Sequence, residues 1–481
     1  MDEAFFLKKS LTILIITFLF CTIFSLTSFS ERSDIHMCQS DEGNNSCFPA
    51  FEEWNITVGG SPPDGFSSVK QTSNQGYIAT GYTYSYSQGK EDVWLFKTDS
   101  KGNEEWNTSF GTNRHDEGLC IVETADGGYV LVGKKYSSET LSYDAWIIKT
   151  DQNGTKQWDK TFGGSGTEIA EKIQHTNDSG FIVYGYSKED DTSTCFLIKL
   201  NKTGIIQWNT SFGHEFNYSM MNGFSIVQGV DNGYFLTGQV HSEKTGSDGF
   251  LIKTDSKGKL LWMKSFGGSK TDYFRSVDIT STGIILTGTT SSFGLGAFDI
   301  WMLKTNKSGV EQWNTTFGGV SYDEGFDIHS LSDEGFVITG YTYSSEKDKS
   351  DVIVIKSDCF GNEEWIKTFG EKTIDKGMSI QETKDEDLIV AGSVNGDGWL
   401  IKIVIPSEIN LRYSIIIGKI KDVTTYHQNF TRFISDDILL LYLSPLKCRI
   451  SSQETIIISN DYQGIFVSDI IIGLFQSACV Q

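Results

Sequence analysis

The 481-residue chain has few prolines (5), few cysteines (8) and a deficit of positive charge. Scarce proline beside 49 glycines and 13% aromatic residues excludes a disordered composition and favours short strands joined by glycine turns. The formal net charge of −22 would repel a phosphate backbone, so we expect no nucleic-acid partner. The cysteines include no CxxC pair, and no zinc site is indicated.

Catalytic signatures are missing as well. No nucleophile elbow, HExxH motif or phosphate-binding glycine loop occurs at a credible position. A sialidase-like site needs several arginines to clamp a substrate carboxylate, but residues 51–405 contain only Arg114 and Arg275. His115 and His214 occupy equivalent loops without a recurrent set of ligands, which favours solvated loop histidines. We therefore predict no catalytic residue and no cofactor.

What the chain does contain is a repeat of about 50 residues over 51–405. Its marker is a tryptophan whose successive copies lie 52, 52, 50, 54, 51 and 52 residues apart. These tryptophans are Trp54, Trp106, Trp158, Trp208, Trp262, Trp313 and Trp365. A phenylalanine follows the later six at four residues, on the same strand face, so we interpret both aromatics as packing groups. Helical periodicity is absent, and a fixed period of this size indicates stacked or circularised units.

The copy ending at Trp365 shows four candidate strands, which are 325–331, 335–342, 351–358 and 362–369. Between the first two lies Asp333-Glu334-Gly335, a tight-hairpin sequence whose residues tolerate positive φ. A four-stranded antiparallel unit with this period is typical of a propeller blade.

Counting strands predicts seven blades. Six copies are complete, and a seventh has strands near 377–383, 388–394 and 397–403 but lacks its tryptophan strand. The segment 51–58 carries that missing strand, and using it there would leave the ring without a free edge. The sequence therefore predicts an all-β, seven-bladed β-propeller of four-stranded blades, closed by an N-terminal strand.

The flanking segments predict export. Residues 1–30 combine Lys8 and Lys9 with an apolar run, as in a signal peptide or an uncleaved signal anchor in the membrane. Residues 31–50 are a predicted linker, in which Cys38 and Cys47 leave a local disulfide open. Residues 406–481 are a predicted small β-rich C-terminal domain. The chain is thus expected to be extracytoplasmic, secreted or anchored at the cell surface. Eleven glycosylation sequons agree with this, at Asn44, Asn55, Asn107, Asn153, Asn177, Asn201, Asn209, Asn217, Asn306, Asn314 and Asn429.

The unit Asp-x-x-Gly-x-x-x-Trp recurs within the repeat. It stands at Asp99–Trp106, Asp151–Trp158, Asp255–Trp262 and Asp358–Trp365. It resembles the tryptophan-docking repeat of quinoprotein-like (PQQ-type) propellers, and the longer repeat resembles uncharacterised exported propeller proteins of archaea and bacteria. The resemblance implies the propeller fold. It does not imply a quinone-dependent dehydrogenase, which would resemble that family by having eight blades and adjacent disulfide-linked cysteines.

Two charged positions recur in the third strand of the blades. A lysine stands there in every blade, at Lys97, Lys149, Lys199, Lys253, Lys304, Lys356 and Lys402. An aspartate opens the same strand at Asp92, Asp144, Asp248, Asp299, Asp351 and Asp397. We interpret them as repeated edge charges or ion pairs between blades. The alternative is a ring of cations for an anionic ligand.

Carboxylates also recur in the loop that enters each blade. They are Asp64, Asp116, Glu168, Asp272, Asp323 and Asp375. Since this loop leads into the innermost strand, the five aspartates are candidate ligands at one mouth of the central channel. Clustered carboxylate oxygens suit Ca²⁺. The alternative is that aspartate before glycine is an ordinary turn former.

These observations favour a non-catalytic, extracytoplasmic propeller that recognises a protein or a glycan, with an envelope protein or glycan as partner. One alternative is a glycan lyase or hydrolase, which would need a channel lined by unlike residues from several blades. The other is a structural scaffold of the envelope. One fold hosts many functions, so the repeat alone does not choose among them.

Overall fold

The computed structural model describes residues 50–406 apart from 62, 88, 214–219, 243–245, 344–348 and 371–372. The described residues form 28 β-strands. None of them belongs to a helix that is long and apolar enough to cross a membrane. The predicted signal segment, almost all of the linker with Cys38 and Cys47, and all but the first residue of the C-terminal domain lie outside the described residues.

The strands form four-stranded antiparallel sheets, each of which is one blade. Blade 1 contains β2 (Asp64–Gln71), β3 (Tyr77–Thr83), β4 (Asp92–Thr98) and β5 (Glu104–Phe110). Blade 2 contains β6 (Glu117–Glu123), β7 (Tyr129–Ser137), β8 (Ser142–Thr150) and β9 (Lys156–Phe162). Blade 3 contains β10 (Thr167–His175), β11 (Phe181–Glu189), β12 (Thr192–Leu200) and β13 (Ile206–Phe212). Blade 4 contains β14 (Met220–Gln228), β15 (Tyr234–Ser242), β16 (Gly246–Thr254) and β17 (Leu260–Phe266).

The remaining strands form three further blades. Blade 5 contains β18 (Asp272–Ile279), β19 (Gly283–Thr290), β20 (Asp299–Asn306) and β21 (Glu311–Phe317). Blade 6 contains β22 (Asp323–Ser330), β23 (Phe336–Tyr343), β24 (Ser350–Ser357) and β25 (Glu363–Phe369). Blade 7 contains β26 (Lys376–Glu382), β27 (Leu388–Val394), β28 (Asp397–Val404) and β1 (Phe51–Val58). The predicted seven-bladed propeller is confirmed.

Strand β1 closes the ring in the predicted way. It pairs antiparallel with β28, and Trp54 lies opposite Lys402. The strand alternates in exposure, with Trp54, Ile56 and Val58 packed against the core between blades 7 and 1. The first segment of the repeat therefore supplies the last strand of the seventh blade.

The hydrophobic core lies between blades, as one boundary shows. Cys195 and Leu197 of blade 3 are buried against Met221 and Leu236 of blade 4, and Trp208 packs on the same cluster. The interpretation of the tryptophans as packing groups is confirmed, and their contacts join neighbouring blades. Cys195 is 0% exposed, as expected of a small apolar side chain.

Each of the tryptophans from Trp54 to Trp313 contacts the turn between the last two strands of the next blade. Trp106 lies over Gly154, and a Cβ on that glycine would stand 2.6 Å from Cζ3 of the indole. Gly154 also has a φ of +78°, so both its backbone and its neighbour favour glycine. Asp151 begins the same turn and accepts hydrogen bonds from the backbone N–H of Asn153 and Thr155. The Asp-x-x-Gly turn and the tryptophan thus form one contact across the blade boundary.

The recurrent lysines are not the edge charges or interblade ion pairs that the sequence suggested. The Lys253 side chain is only 7% exposed, and its Nζ lies 2.7 Å from Asp231 in the turn between the first two strands of the same blade. Lys149 makes the same contact with Asp126 at 3.1 Å. These pairs lie within a blade and the lysines are buried, so they are neither edge charges, nor interblade pairs, nor a ring open to a ligand.

Blade 5 lacks the acidic partner of its lysine, because Thr282 stands where the other turns carry an acidic or amide residue. Burial lowers the pKa of Lys304 to about 8. A lysine with a lowered folded pKa destabilises the fold increasingly as the pH falls from about 10.5 to 8.

We expect Thr282→Asp to raise the pKa of Lys304 and to stabilise the protein at pH 7 by ~1 kcal/mol. Thermal unfolding measures this, and Thr282→Asn is the matched uncharged control. Equal melting temperatures for the two variants would contradict the prediction.

Candidate functional site

The ring has two faces, defined by its loops. The first strand of each blade contacts the first strands of both neighbouring blades, so these inner strands line the central channel. The upper face carries the loops between blades, such as 59–63, and those between second and third strands, such as 84–91. The lower face carries the turns between first and second strands, such as 72–76, and between third and fourth, such as 99–103.

The predicted channel-mouth aspartates are buried at the upper face, each at a different blade boundary. Their exposed fractions are at most 1%, for Asp64, Asp116, Asp272, Asp323 and Asp375. Asp64 accepts hydrogen bonds from the backbone N–H of Gly60 in the entering loop and of Tyr84 and Ser85 after the second strand. Equivalent bonds reach Asp116 from Thr112 and Tyr136, Asp272 from Gly268 and Ser291, Asp323 from Gly319, and Asp375 from Asn395. At Asp64, Asp116 and Asp272 the carboxylate therefore holds the two upper loops of a blade together.

These aspartates do not converge on one point. Across the described part of the chain, no three His, Cys, Asp or Glu side chains are grouped closely enough to hold a metal ion. Asp64 instead lies close to Asp397 of the preceding blade, and both carboxylates approach the same side of Gly59. Burial, followed by the Asp64 charge, raises the pKa of Asp397. Their hydrogen bonds fit the turn-forming alternative, and the Ca²⁺ expectation stays a prediction.

A different set of residues faces the channel. Every inner strand has a bulge that leaves one residue out of register. The bulged residues are Ser67, Leu119, Glu171, Phe224, Arg275, Phe326 and Met378. All are partly exposed, whereas their flanking residues, apart from Lys172, are buried. The channel at this level is lined by unlike side chains, which the repeat pattern did not predict.

Arg275 is the positively charged residue among these seven bulged residues. Its guanidinium carbon lies 4.6 Å from the ring centre of Phe224, 5.3 Å from that of Tyr273 and 5.3 Å from that of Phe326. Aromatic faces stabilise a guanidinium without using its N–H groups. The Nε atom is buried and has no hydrogen-bond partner among the described residues. The aromatic rings thus position the side chain while this donor stays unused.

Glu171 is the acidic residue among the seven bulged residues. Burial raises its pKa to about 7, and the positive charge of Arg275 opposes part of that shift. Glu117 raises this pKa further, whereas Lys134 and Lys172 lower it. A carboxyl in this state exchanges its proton near neutral pH, unlike an ordinary surface glutamate.

A continuous series of ring contacts connects Arg275 with two loops of the upper face. Successive ring centres are 5.4, 6.4, 5.7 and 5.8 Å apart. In order from the rim to the channel, this aromatic ladder consists of Phe298, Tyr322, Tyr343, Tyr341 and Phe326. The last ring is one of those beside Arg275. Burial, followed by the charge of Glu324, raises the pKa of Tyr341 and keeps its hydroxyl protonated.

The outer end of the ladder is exposed and apolar. Leu295 is 86% exposed, Val320 74% and Tyr322 49%. The two loops that carry them are adjacent, because Ala297 donates its N–H to the carbonyl of Ser321. We call Leu295, Val320 and Tyr322 the apolar rim. On the lower face, the exposed Val230, Val310 and Phe360 lie in turns of three different blades.

A concavity of about 490 Å³ lies between blades 1 and 2, lined in part by Lys135, Trp146 and Lys156. Its tryptophan and its two lysines already have partners. The Trp146 indole N–H donates to Asp159 at 2.9 Å, Lys156 pairs with Asp159 at 3.1 Å, and Lys135 lies 4.8 Å from the Trp146 ring centre. The upper face of blades 5 and 6 is therefore the stronger candidate site.

Comparison with known proteins adds little. No family model and no curated protein matches the chain. Among solved structures, the Neurospora crassa Pan2 WD40 domain is similar with 8% identity over 72% of this chain and 90% of that one, at a TM-score of 0.46. BBS1N in complex with ARL6DN is similar with 10% identity over 74% of this chain and 97% of that one, at a TM-score of 0.44. Chaetomium thermophilum Sqt1 bound to the N-terminus of the ribosomal protein L10 is similar with 10% identity over 76% of this chain and 100% of that one, at a TM-score of 0.41.

Similarity this low identifies neither a family nor a partner for the chain. The fold assignment therefore rests on the strand pairing itself. The resemblance to quinoprotein-like propellers and to exported archaeal or bacterial proteins has no matching family behind it and stays a prediction.

Proposed function

We propose that this propeller is a recognition module that binds another protein on the upper face of blades 5 and 6. The observation that carries the proposal is the apolar rim, which continues into the aromatic ladder. Its three large apolar side chains are exposed on two adjacent loops, and grouped exposed apolar residues are a feature of binding surfaces. Aromatic residues and arginine are the side chains that contribute most at protein interfaces.

A protein fits this surface better than a glycan. Leu295 and Val320 supply no hydrogen-bonding group. Covering them with sugar hydroxyls would leave those hydroxyls without partners, at a cost of about 1–3 kcal/mol each. An apolar protein side chain carries no such cost, and its burial contributes about 1.5–3 kcal/mol.

Selection of peptides from a random displayed library on the purified chain tests the proposal. We expect the selected peptides to lose at least tenfold in affinity on the triple variant Leu295→Ser, Val320→Ser, Tyr322→Ser, because the variant removes the apolar area that binding would bury and the one tyrosine of the rim. Binding is measured by calorimetry or interferometry.

The lower face offers a matched control. The variant Val230→Ser, Val310→Ser, Phe360→Ser removes three residues of similar exposure from the opposite side. It should change the affinity less than twofold. Equal losses for the two triple variants, or selection on a glycan array but not on peptides, would refute a protein site at the apolar rim.

We also propose an extracytoplasmic location, secreted or anchored. Its support is the charged and apolar pattern of residues 1–30 and the eleven sequons. Fusion of a reporter that folds only outside the cytoplasm, with and without residues 1–30, tests it. Reporter activity independent of residues 1–30 would count against export by this segment.

A second candidate function is a glycan-active enzyme, because the bulge level is lined by unlike residues and Glu171 has a pKa of about 7. A general acid needs a pKa near the operating pH. Turnover of a panel of polysaccharides, abolished by Glu171→Gln, would support this candidate against the recognition module.

A further inference from the structure

At its channel end, the aromatic ladder contacts the positively charged side chain of Arg275. Arg275 stands between Phe224 and Phe326, which come from the two blades beside its own. Its Nε donor is buried, and no described residue accepts a hydrogen bond from it. A buried donor without a partner costs about 1–3 kcal/mol, so a ligand that accepts this bond would recover that loss.

The shape and chemistry of the side chain select the ligand. A guanidinium presents a planar fork of donors that matches a carboxylate bidentately. The flanking rings exclude water from its faces and strengthen the interaction with an anion. Because the chain as a whole carries −22 charges, anions are repelled in general, and an anion that binds here must do so by specific contacts.

We propose that Arg275 binds a carboxylate of the partner segment that lies along the aromatic ladder. The inference rests on the proposed function and gives it a specificity determinant. The apolar rim and the partly exposed rings of Tyr343 and Phe326 contact apolar side chains of the segment, Tyr341 being buried beneath them, and Arg275 holds its acidic group at the channel end. Both a chain-terminal and a side-chain carboxylate present this chemistry.

The proposal is tested with small probes on the purified chain. N-acetyl-L-phenylalanine carries an aromatic ring and a free carboxylate, and N-acetyl-L-phenylalaninamide is its neutral counterpart. We expect the acid to bind at least tenfold more tightly than the amide at pH 6, measured by NMR titration or calorimetry. N-acetyl-L-aspartyl-L-phenylalaninamide presents a side-chain carboxylate instead, and comparison of the two acids shows which source the site prefers.

Variants of Arg275 separate charge from shape. Arg275→Gln should abolish the preference for the acid, and Arg275→Lys should weaken binding of the acid about tenfold because a point charge lacks the fork. Arg114, the other arginine of residues 51–405, is the control. Its exposed side chain lies over Tyr136, and Arg114→Gln should leave binding unchanged. Thermal unfolding verifies that each variant is folded.

Glu171 supplies a second, independent readout. The groups around it are Arg275 on β18, Glu117 on β6, Lys134 on β7, Tyr186 on β11 and Lys172 on its own strand. Its pKa of about 7 means that the carboxyl is neutral at pH 6 and repels an anion at pH 8. We expect the acid to bind the natural chain several-fold more tightly at pH 6 than at pH 8, and Glu171→Gln to reduce this difference below twofold.

Several results would overturn the assignment. They are equal binding of acid and amide, an effect of Arg114→Gln as large as that of Arg275→Gln, or a pH dependence that survives in Glu171→Gln. If the acid fails to bind while selected peptides still require the apolar rim, the role of Arg275 is wrong and the recognition module stands. If neither binds, both proposals fail.

Discussion

Replacing Trp54, Ile56 and Val58 together by alanine is expected to lower the free energy of unfolding by about 5 kcal/mol or more, and deleting residues 51–58 to prevent formation of a closed ring. The three side chains pack on the core between blades 7 and 1. Burial of each contributes about 1.5–3 kcal/mol. Deletion also leaves β28 as an unpaired edge, which favours aggregation. Chemical denaturation monitored by tryptophan fluorescence and circular dichroism measures the first effect, and size-exclusion chromatography the second.

The opposite side of the same strand supplies the control. Glu53, Asn55 and Thr57 are exposed and alternate with the packed residues. Their triple replacement by alanine keeps the backbone pairing with β28 and should change stability by less than about 1 kcal/mol. If the two triple variants unfold at the same denaturant concentration, β1 does not close the ring through its packed face.

Asp327→Ala is expected to cost about 3 kcal/mol, because this carboxylate joins several blades across the channel. It accepts hydrogen bonds from Ser276 Oγ of blade 5 at 2.7 Å and from Ser379 Oγ of blade 7 at 3.2 Å. It also accepts the backbone N–H of Ile380, and it pairs with Lys172 of blade 3 at 3.8 Å. Removal leaves these donors and a cation unpaired, and the figure is at the lower end for a buried pair because Lys172 is 29% exposed. Equilibrium denaturation measures the loss.

The pair variant Lys172→Met, Asp327→Leu tests the cause. Since it removes the unpaired charge together with its partner, it should recover at least half of the loss. Burial alone would raise the pKa of Asp327, but Lys172 and the hydrogen bonds lower it below the ordinary value. This contribution is therefore present above the ordinary pKa of about 4 and is lost as the pH falls through the lowered value. A natural chain whose stability at pH 3 relative to pH 7 matches that of the pair variant would contradict this role.

The sequence predicted the ring but not the site within it, for a physical reason. The blades follow from local signals, such as Asp333-Glu334-Gly335, where Glu334 has the expected positive φ of 68°. The first strand of that blade begins at Asp323, two residues before the predicted 325, because pairing with β23 decides its start. Because the repeat has four strands, counting them shows that the seventh copy is one strand short and that the segment with Trp54 supplies it.

The candidate site depends on departures from the repeat. Arg275 and Phe224 lie 51 residues apart, and their contact exists only because two inner strands adjoin in the ring. The bulge that exposes each of them is a matter of register, which alternation alone does not reveal. The signal that was available in the sequence is the rarity of arginine, because Arg275 is one of only two arginines in residues 51–405. Recurrent charges such as Lys253 proved to be buried within blades.

The closure by β1 also has a consequence in time. During synthesis this strand is made first, yet its partner β28 follows more than 330 residues later. Throughout that interval an edge with Trp54 and Ile56 on one side stays open to pairing with other chains. Glu52, Glu53 and Asn55 are exposed beside those apolar residues, and negative charge on an open edge discourages such pairing. We therefore expect the acidic start of the strand to disfavour such pairing until the ring is completed.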